Sequence, residues 1–98
     1  MAEQEKLYLQ FILQASTRQA KLLLKDSTPR QIQAVGEVSY NILHGDLEPD
    51  LLKDLKQYRT LLRQLIDKSL SVTKRRQLIT RRAKAVVEIL RLVEGLLP

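Results

Sequence analysis

DSTPRQIQAVGEVSYNILHG, residues 26–45, decides how the chain is read. Pro29 inside a helix would remove a backbone hydrogen bond and strike the preceding turn, but at the first helical position it costs nothing. Thr28 before it and Gln31 behind it have the spacing of a capping box, in which each side chain serves the other residue's backbone N–H. Ile32, Val35, Ser39 and Ile42 then recur in steps of three and four, one face of a helix. HGDLEP, residues 44–49, ends the run, and Gly45 suits a left-handed C-cap. The spacing therefore predicts a helix over 29–43 with a turn on each side. Gly36 inside it costs about 1 kcal/mol relative to Ala. It marks either an exposed, tolerated position or a close approach by another helix.

Outward from this helix the pattern repeats. Residues 2–25 read as one helix, with Tyr8, Ile12, Ala15 and Leu22 on the buried side and Gln19 completing the series. Leu9, Leu13, Ala20 and Leu23 form a neighbouring stripe, while Lys6, Gln10, Gln14, Thr17 and Lys21 take the wet side. A third helix is expected over 49–68, burying Leu51, Leu55, Tyr58, Leu62 and Leu65, widened by Leu52, Leu61 and Ile66. Asp50 and Asp54 near its start and Lys68 near its end suit the helix dipole. SLSVT, residues 69–73, is the next break, with Ser69 or Ser71 as cap. A long fourth helix then reaches Glu94, with Gly95 and Pro98 as stops. Its apolar series is Ile79, Ala83, Val86, Leu90, Val93 and Leu97, with Leu78, Ala85, Ile89, Leu92 and Leu96 alongside. Such a helix is either the centre of the core or a contact between copies, and Val86, Leu90, Val93 and Leu97 are the candidate oligomer interface.

The totals agree with helices joined by short turns. Among 98 residues, 44% are hydrophobic and only three are Gly and three Pro. The expected fold is all-α: one domain over 1–98, a compact bundle of about four helices with antiparallel neighbours and a long apolar C-terminal helix. The chain has no cysteine, which excludes disulfides and thiolate chemistry. The amino terminus, MAEQEKLYLQ, does not read as a signal peptide, and no apolar stretch is long enough for a transmembrane segment. The expected location is the nucleus or cytoplasm, not the secreted space.

Catalytic chemistry finds little support. The single histidine, His44, sits beside a turn, where capping or plain exposure explains it, and Asp46 is the only nearby partner. Asp46, Glu48, Asp50 and Asp54 lack the spacing of a calcium loop and fit the electrostatics of a helix start. No glycine-rich phosphate loop or HExxH motif occurs. The expectation is a protein that is no enzyme, with no catalytic residue, metal or cofactor.

The charge distribution is more informative. Net charge is +6, but residues 56–84 carry ten Lys or Arg against one acid, Asp67, and the remainder is net acidic. TKRRQLITRRAK, residues 73–84, holds six of those bases and no acid. Arg75 and Arg82 share a helix direction, as do Lys74 and Arg81, with Lys84 further round. Arg59 and Arg63 lie one turn apart on the third helix, with Lys56 a turn earlier. If the third and fourth helices are antiparallel neighbours, these charges merge. The candidate nucleic-acid contacts are thus Lys56, Arg59, Arg63, Lys74, Arg75, Arg76, Arg81, Arg82 and Lys84, held on phosphate by charge. The segment has no Asn, one Gln and no aromatic residue, so nonspecific backbone contact is expected over base reading or stacking, with DNA favoured over RNA. The alternative is a homo-oligomeric or protein-interaction module whose basic face is merely solvated, since helical Lys and Arg also keep small bundles soluble.

The middle of the chain also carries a resemblance. LLKDSTPRQIQAVGEVSYNILHGDLEPDLL followed by LKQYRTLLRQLIDKSLSVTKRRQLI, from about Leu24 to Ile79, resembles small basic helical proteins encoded by Polinton-type transposons and related adenovirus-like DNA viruses of animals. The features that carry it are Tyr40–Asn41–Ile42–Leu43 before Gly45, the run from Leu61 to Lys68, and the basic start from Ser69 to Leu78. The resemblance implies a viral or mobile-element accessory protein with a DNA-associated or virion role, working in an infected or host cell. It implies no catalytic residue. Where that family passes from its basic run into a Gly-Gly pair and an apolar tail, this chain has RRAKAVVEILRLVEGLLP, with no Gly pair.

Overall fold

A computed structural model describes residues 1–97; Pro98, the second expected stop of the last helix, lies outside them. The described residues form α1 (Glu3–Gln14), α2 (Thr17–Lys25), α3 (Pro29–His44), α4 (Pro49–Leu55), a 3-10 turn (Lys56–Tyr58), α5 (Arg59–Leu65), α6 (Val72–Arg81) and α7 (Ala83–Leu92), then a second 3-10 turn (Glu94–Leu96). There is no strand among them. Because α4, the 3-10 turn and α5 follow without a gap, the described residues make six helical rods. The all-α class stands, while the count of about four and the long apolar last helix are corrected.

Two expected helices are broken. The first ends at Ala15, whose ψ of 157° is extended, and Ser16 caps α2: its side chain accepts from the Gln19 backbone N–H, and the Gln19 side chain returns the bond. This capping box repeats the one that opens α3 at Thr28 and Gln31. The break resets the register. In α2 the buried residues are Ala20 and Leu24, whereas Leu22, expected inside, is 55% exposed. The last expected helix is interrupted at Arg82, φ −108° and ψ 29°, although bonds from Arg82 N–H to Leu78 and from Val86 N–H to Arg82 carry the helical pattern across it. The interruption lets α6 lie on α2 and α3 while α7 turns inward against α1, α2 and α4.

α7 is the central element. Ala83, Val86, Val87, Ile89, Leu90 and Val93 are all buried, so its first expected stripe faces protein, whereas of the second only Ile89 is buried and Leu92 and Leu96 are exposed. Around it the core takes Leu9 and Ile12 from α1, Leu24 from α2, Ile32, Val35 and Ile42 from α3, Leu61, Leu62 and Leu65 from α5 and Ile79 from α6. Gly36 is explained by close approach: a Cβ there would sit 3.3 Å from the Leu65 carbonyl oxygen, where α3 and α5 pack. Gly45 is corrected. Its φ of −82° is not left-handed; the turn needs glycine because a Cβ would strike the Asn41 carbonyl oxygen. Of the two candidate caps in the last loop, Ser71 caps α6 by accepting from Lys74 N–H at 3.1 Å, while Ser69 donates to Asp67.

No helix among the described residues is long and apolar enough to cross a membrane.

Candidate nucleic-acid interface

The nine expected contacts fall into three settings. Lys74, Arg81 and Lys84 are exposed on the outer side of α6 and the first turn of α7. Ile79 and Ala83 fix the inward direction of this segment, and the helical period puts Lys74, Arg81 and Lys84 roughly opposite them. The row runs about 15 Å, with Gln77 inside it and Thr73 and Thr80 beside it, all three exposed. Residues 68–87 contain seven bases and no acid. Among the described residues no Lys or Arg has a carboxylate within 4.0 Å; the single ion pair joins the Met1 amine to Glu37.

Arg75, Arg76 and Arg82 flank this row and are partly used by the fold. Arg76 is half-buried, and its Nε donates to the Ser27 carbonyl at 3.0 Å. Arg75 is also half-buried, with an Nε that has no hydrogen-bond partner. Its charge acts on Asp67, whose carboxyl is held below the usual range first by the Ser69 hydroxyl and backbone N–H and then by Arg75. Arg82 is exposed but acts on the Tyr58 hydroxyl. Tyr58 donates to Glu88, and that bond, with burial, raises its pKa. α5 makes its main contact with α3 and α6 makes its main contact with α2, so the expected pairing of the third and fourth helices is not among the main contacts.

Lys56 and Arg59 are exposed in a different place. They border a groove between α3 and the α4–α5 rod, and Arg63, one turn beyond Arg59, shares its side of the helix. Lys56 and Arg59 line this groove, and Lys74, Arg81 and Lys84 do not. α5 makes its main contact with α3 through its apolar side, Leu61, Leu62 and Leu65, whereas α6 lies chiefly on α2.

The candidate oligomer interface is corrected outright. Val86, Leu90 and Val93 are each 1% exposed inside the single chain, and Leu97 packs against the same core near Val38 and Ile42 of α3. Exposed apolar side chains include Leu7, Phe11, Leu22 and Leu23 on α1 and α2, Leu52 on α4, and Leu92 and Leu96 at the end of the last helical segment. Phe11, Leu22 and Leu23 border a groove of about 720 Å³ whose one charged residue is Asp26. Sequence reading missed this surface because it carried the α1 register through the break at Ser16.

Two arginine roles were also missed. Arg91 donates from Nη2 to the Ala15 carbonyl at 3.3 Å, as Arg76 does to Ser27. The two guanidinium groups thus grip the chain just before and just after α2. His44 is exposed and lies against Tyr40, ring centroids 4.3 Å apart, and among the described residues no three His or acidic side chains are grouped to hold a metal.

Comparison with protein-family models, curated proteins and solved structures gave no match.

Proposed function

We propose that the chain binds nucleic acid nonspecifically through Lys74, Arg81 and Lys84, with Arg82 and Arg75 at the edge of the contact. The observation that carries this reading is an exposed cationic row along α6 and the first turn of α7 with no acid in residues 68–87 to neutralise it. Like charges held together repel, and a phosphate backbone relieves that cost while releasing its own counterions. The row offers charge, one amide and two hydroxyls, and no stacking ring, which suits backbone contact better than base reading. DNA is the favoured partner. A viral or mobile-element setting rests on the family resemblance alone.

Reversal of charge tests it. Lys74→Glu, Arg81→Glu and Lys84→Glu together should leave helicity intact, because all three side chains are exposed. Duplex binding should fall by on the order of 100-fold or more at low salt. Reversing Lys21, Lys25 and Arg30, also exposed but on α2 and α3, changes net charge equally and serves as the control. Equal loss in both triple variants would remove the assignment to α6 and α7.

A second reading, a protein-interaction or self-assembly module, is favoured by Phe11 at 59% and Leu22 at 55% exposure beside the α1–α2 groove. Sedimentation of the wild type against Phe11→Glu and Leu22→Glu separates it: this reading requires a mass above that of one chain that the substitutions lower.

A further inference from the structure

The groove between α3 and the α4–α5 rod combines a basic rim with an apolar floor, and a nucleic-acid surface needs only the first. Its floor and walls are apolar: Ile42, Leu43, Pro49, Leu52, Leu55 and Leu62. Its charged lining residues are Lys53, Lys56 and Arg59, with no acid among them. Its volume is about 490 Å³. Pro49, Leu52, Lys53, Lys56 and Arg59 follow one another in helical steps of three, one, three and three, so one side of the rod presents the whole set. Asp50 and Asp54, on the same rod, point away from that side by the same period. Leu52 is 47% exposed in the groove, a leucine with no partner.

We infer that this groove docks an acidic amphipathic helix of a partner protein. Leucine-type side chains of the partner would cover Leu52 and the Ile42–Leu62 floor, and carboxylates along its edges would meet Lys53, Lys56 and Arg59. The rod from Pro49 to Arg59 is about 15 Å long, which matches roughly three turns of a docked helix. Phosphate fits less well, because a nucleic-acid backbone would pair the rim and leave the apolar floor wet. The row on α6 and α7 has the opposite make-up, charge without an apolar floor, so the two surfaces suit different partners. This inference does not rest on the nucleic-acid reading.

The test uses the full chain, isotope-labelled for NMR, and a synthetic helix of about 16 residues with leucines along one face and glutamates on both flanks. Shifts on peptide addition should concentrate at Ile42, Leu43, Leu52, Leu55 and Arg59 and should shrink with salt. Leu52→Glu should weaken binding by roughly tenfold or more, as loss of a central apolar contact does. Lys53→Glu with Arg59→Glu should weaken it comparably, and the triple reversal on α6 and α7 should leave it unchanged. Leu52 and the rim residues are at the surface, and Leu52→Ser gives a milder replacement if the glutamate disturbs the helix. The inference is overturned by any of three results: equal binding of the same helix with lysines for glutamates, shifts from duplex DNA but not peptide in the groove, or concentration-dependent shifts there before any peptide is added.

Discussion

At the residue scale, arginines in one basic run do different work. Arg76 looks like its neighbours in sequence, yet its Nε holds the Ser27 carbonyl across a chain separation of 49 residues. Arg76→Ala should therefore destabilise the fold, by about 1–2 kcal/mol for a half-buried charged hydrogen bond, read from the urea midpoint. Lysine should not restore it, because it lacks the flat fork that reaches the carbonyl beside apolar neighbours. Unchanged stability in Arg76→Ala would free that guanidinium for a ligand. Tyr8 gives a prediction in pH. It is buried between α1 and α2 with its hydroxyl donating to the Leu23 carbonyl, and burial pushes its pKa from 10.0 up to about 12, against a smaller opposing pull from Ser27. The unfolded chain loses that proton first, so between these values the folded state binds more protons and stability falls as pH rises. The Tyr8 contribution is complete below about pH 10 and gone above about pH 12. Tyr8→Phe should flatten part of that alkaline loss, measured by urea midpoints across the range; an identical slope in the variant would place the titration elsewhere.

At the element scale, caps govern the path of the chain. Thr28–Gln31 was legible because Pro29 stands between them and admits no other reading. Ser16–Gln19 has the same spacing and forms the same pair of bonds, at 3.2 Å each, but no proline marks it and apolar residues continue past it. Ser16→Ala should cost about 1 kcal/mol of stability in thermal or urea unfolding, and a change within error would mean that packing alone makes the break. The interruption at Arg82 had no such signal. It has neither glycine, proline nor a side-chain cap, and stands where the chain, packed on α2 throughout, passes from α3 to α1 and α4. Periodicity cannot report that, since both halves keep the same apolar rhythm. The rest of the element pattern was readable in part: the N-terminal cap of α3 and the buried Leu55, Tyr58, Leu62 and Leu65 were, whereas the left-handed cap at Gly45 was not, and at Gly36 the sequence left two explanations between which only the contact with Leu65 decides.

At the scale of the whole molecule, charge and apolar surface are sorted. The core takes one broad side of α7, with Val86, Leu90 and Val93 inside it, and open apolar side chains remain on α1 and α2, at Leu52 in the α3–α4 groove and at Leu92 and Leu96. Of the candidate site, Lys74, Arg81 and Lys84 were legible because helical spacing alone puts them outside. The uses of Arg76 and Arg91 were not, since their partner carbonyls come from 49 and 76 residues away, a distance that only the tertiary fold closes. The place of Lys56 and Arg59 in a groove beside α3 depends likewise on α5 lying against that helix. The central claim is that the row on α6 and α7 grips phosphate, and one measurement tests it most directly: affinity of the intact chain for a labelled duplex DNA across a salt series. With about four phosphate contacts the logarithm of affinity should fall with the logarithm of salt at a slope of about −3 to −4, or roughly 100-fold between about 50 and about 200 mM, alike for unrelated sequences. No binding at the lowest salt, or binding indifferent to salt, would contradict the account.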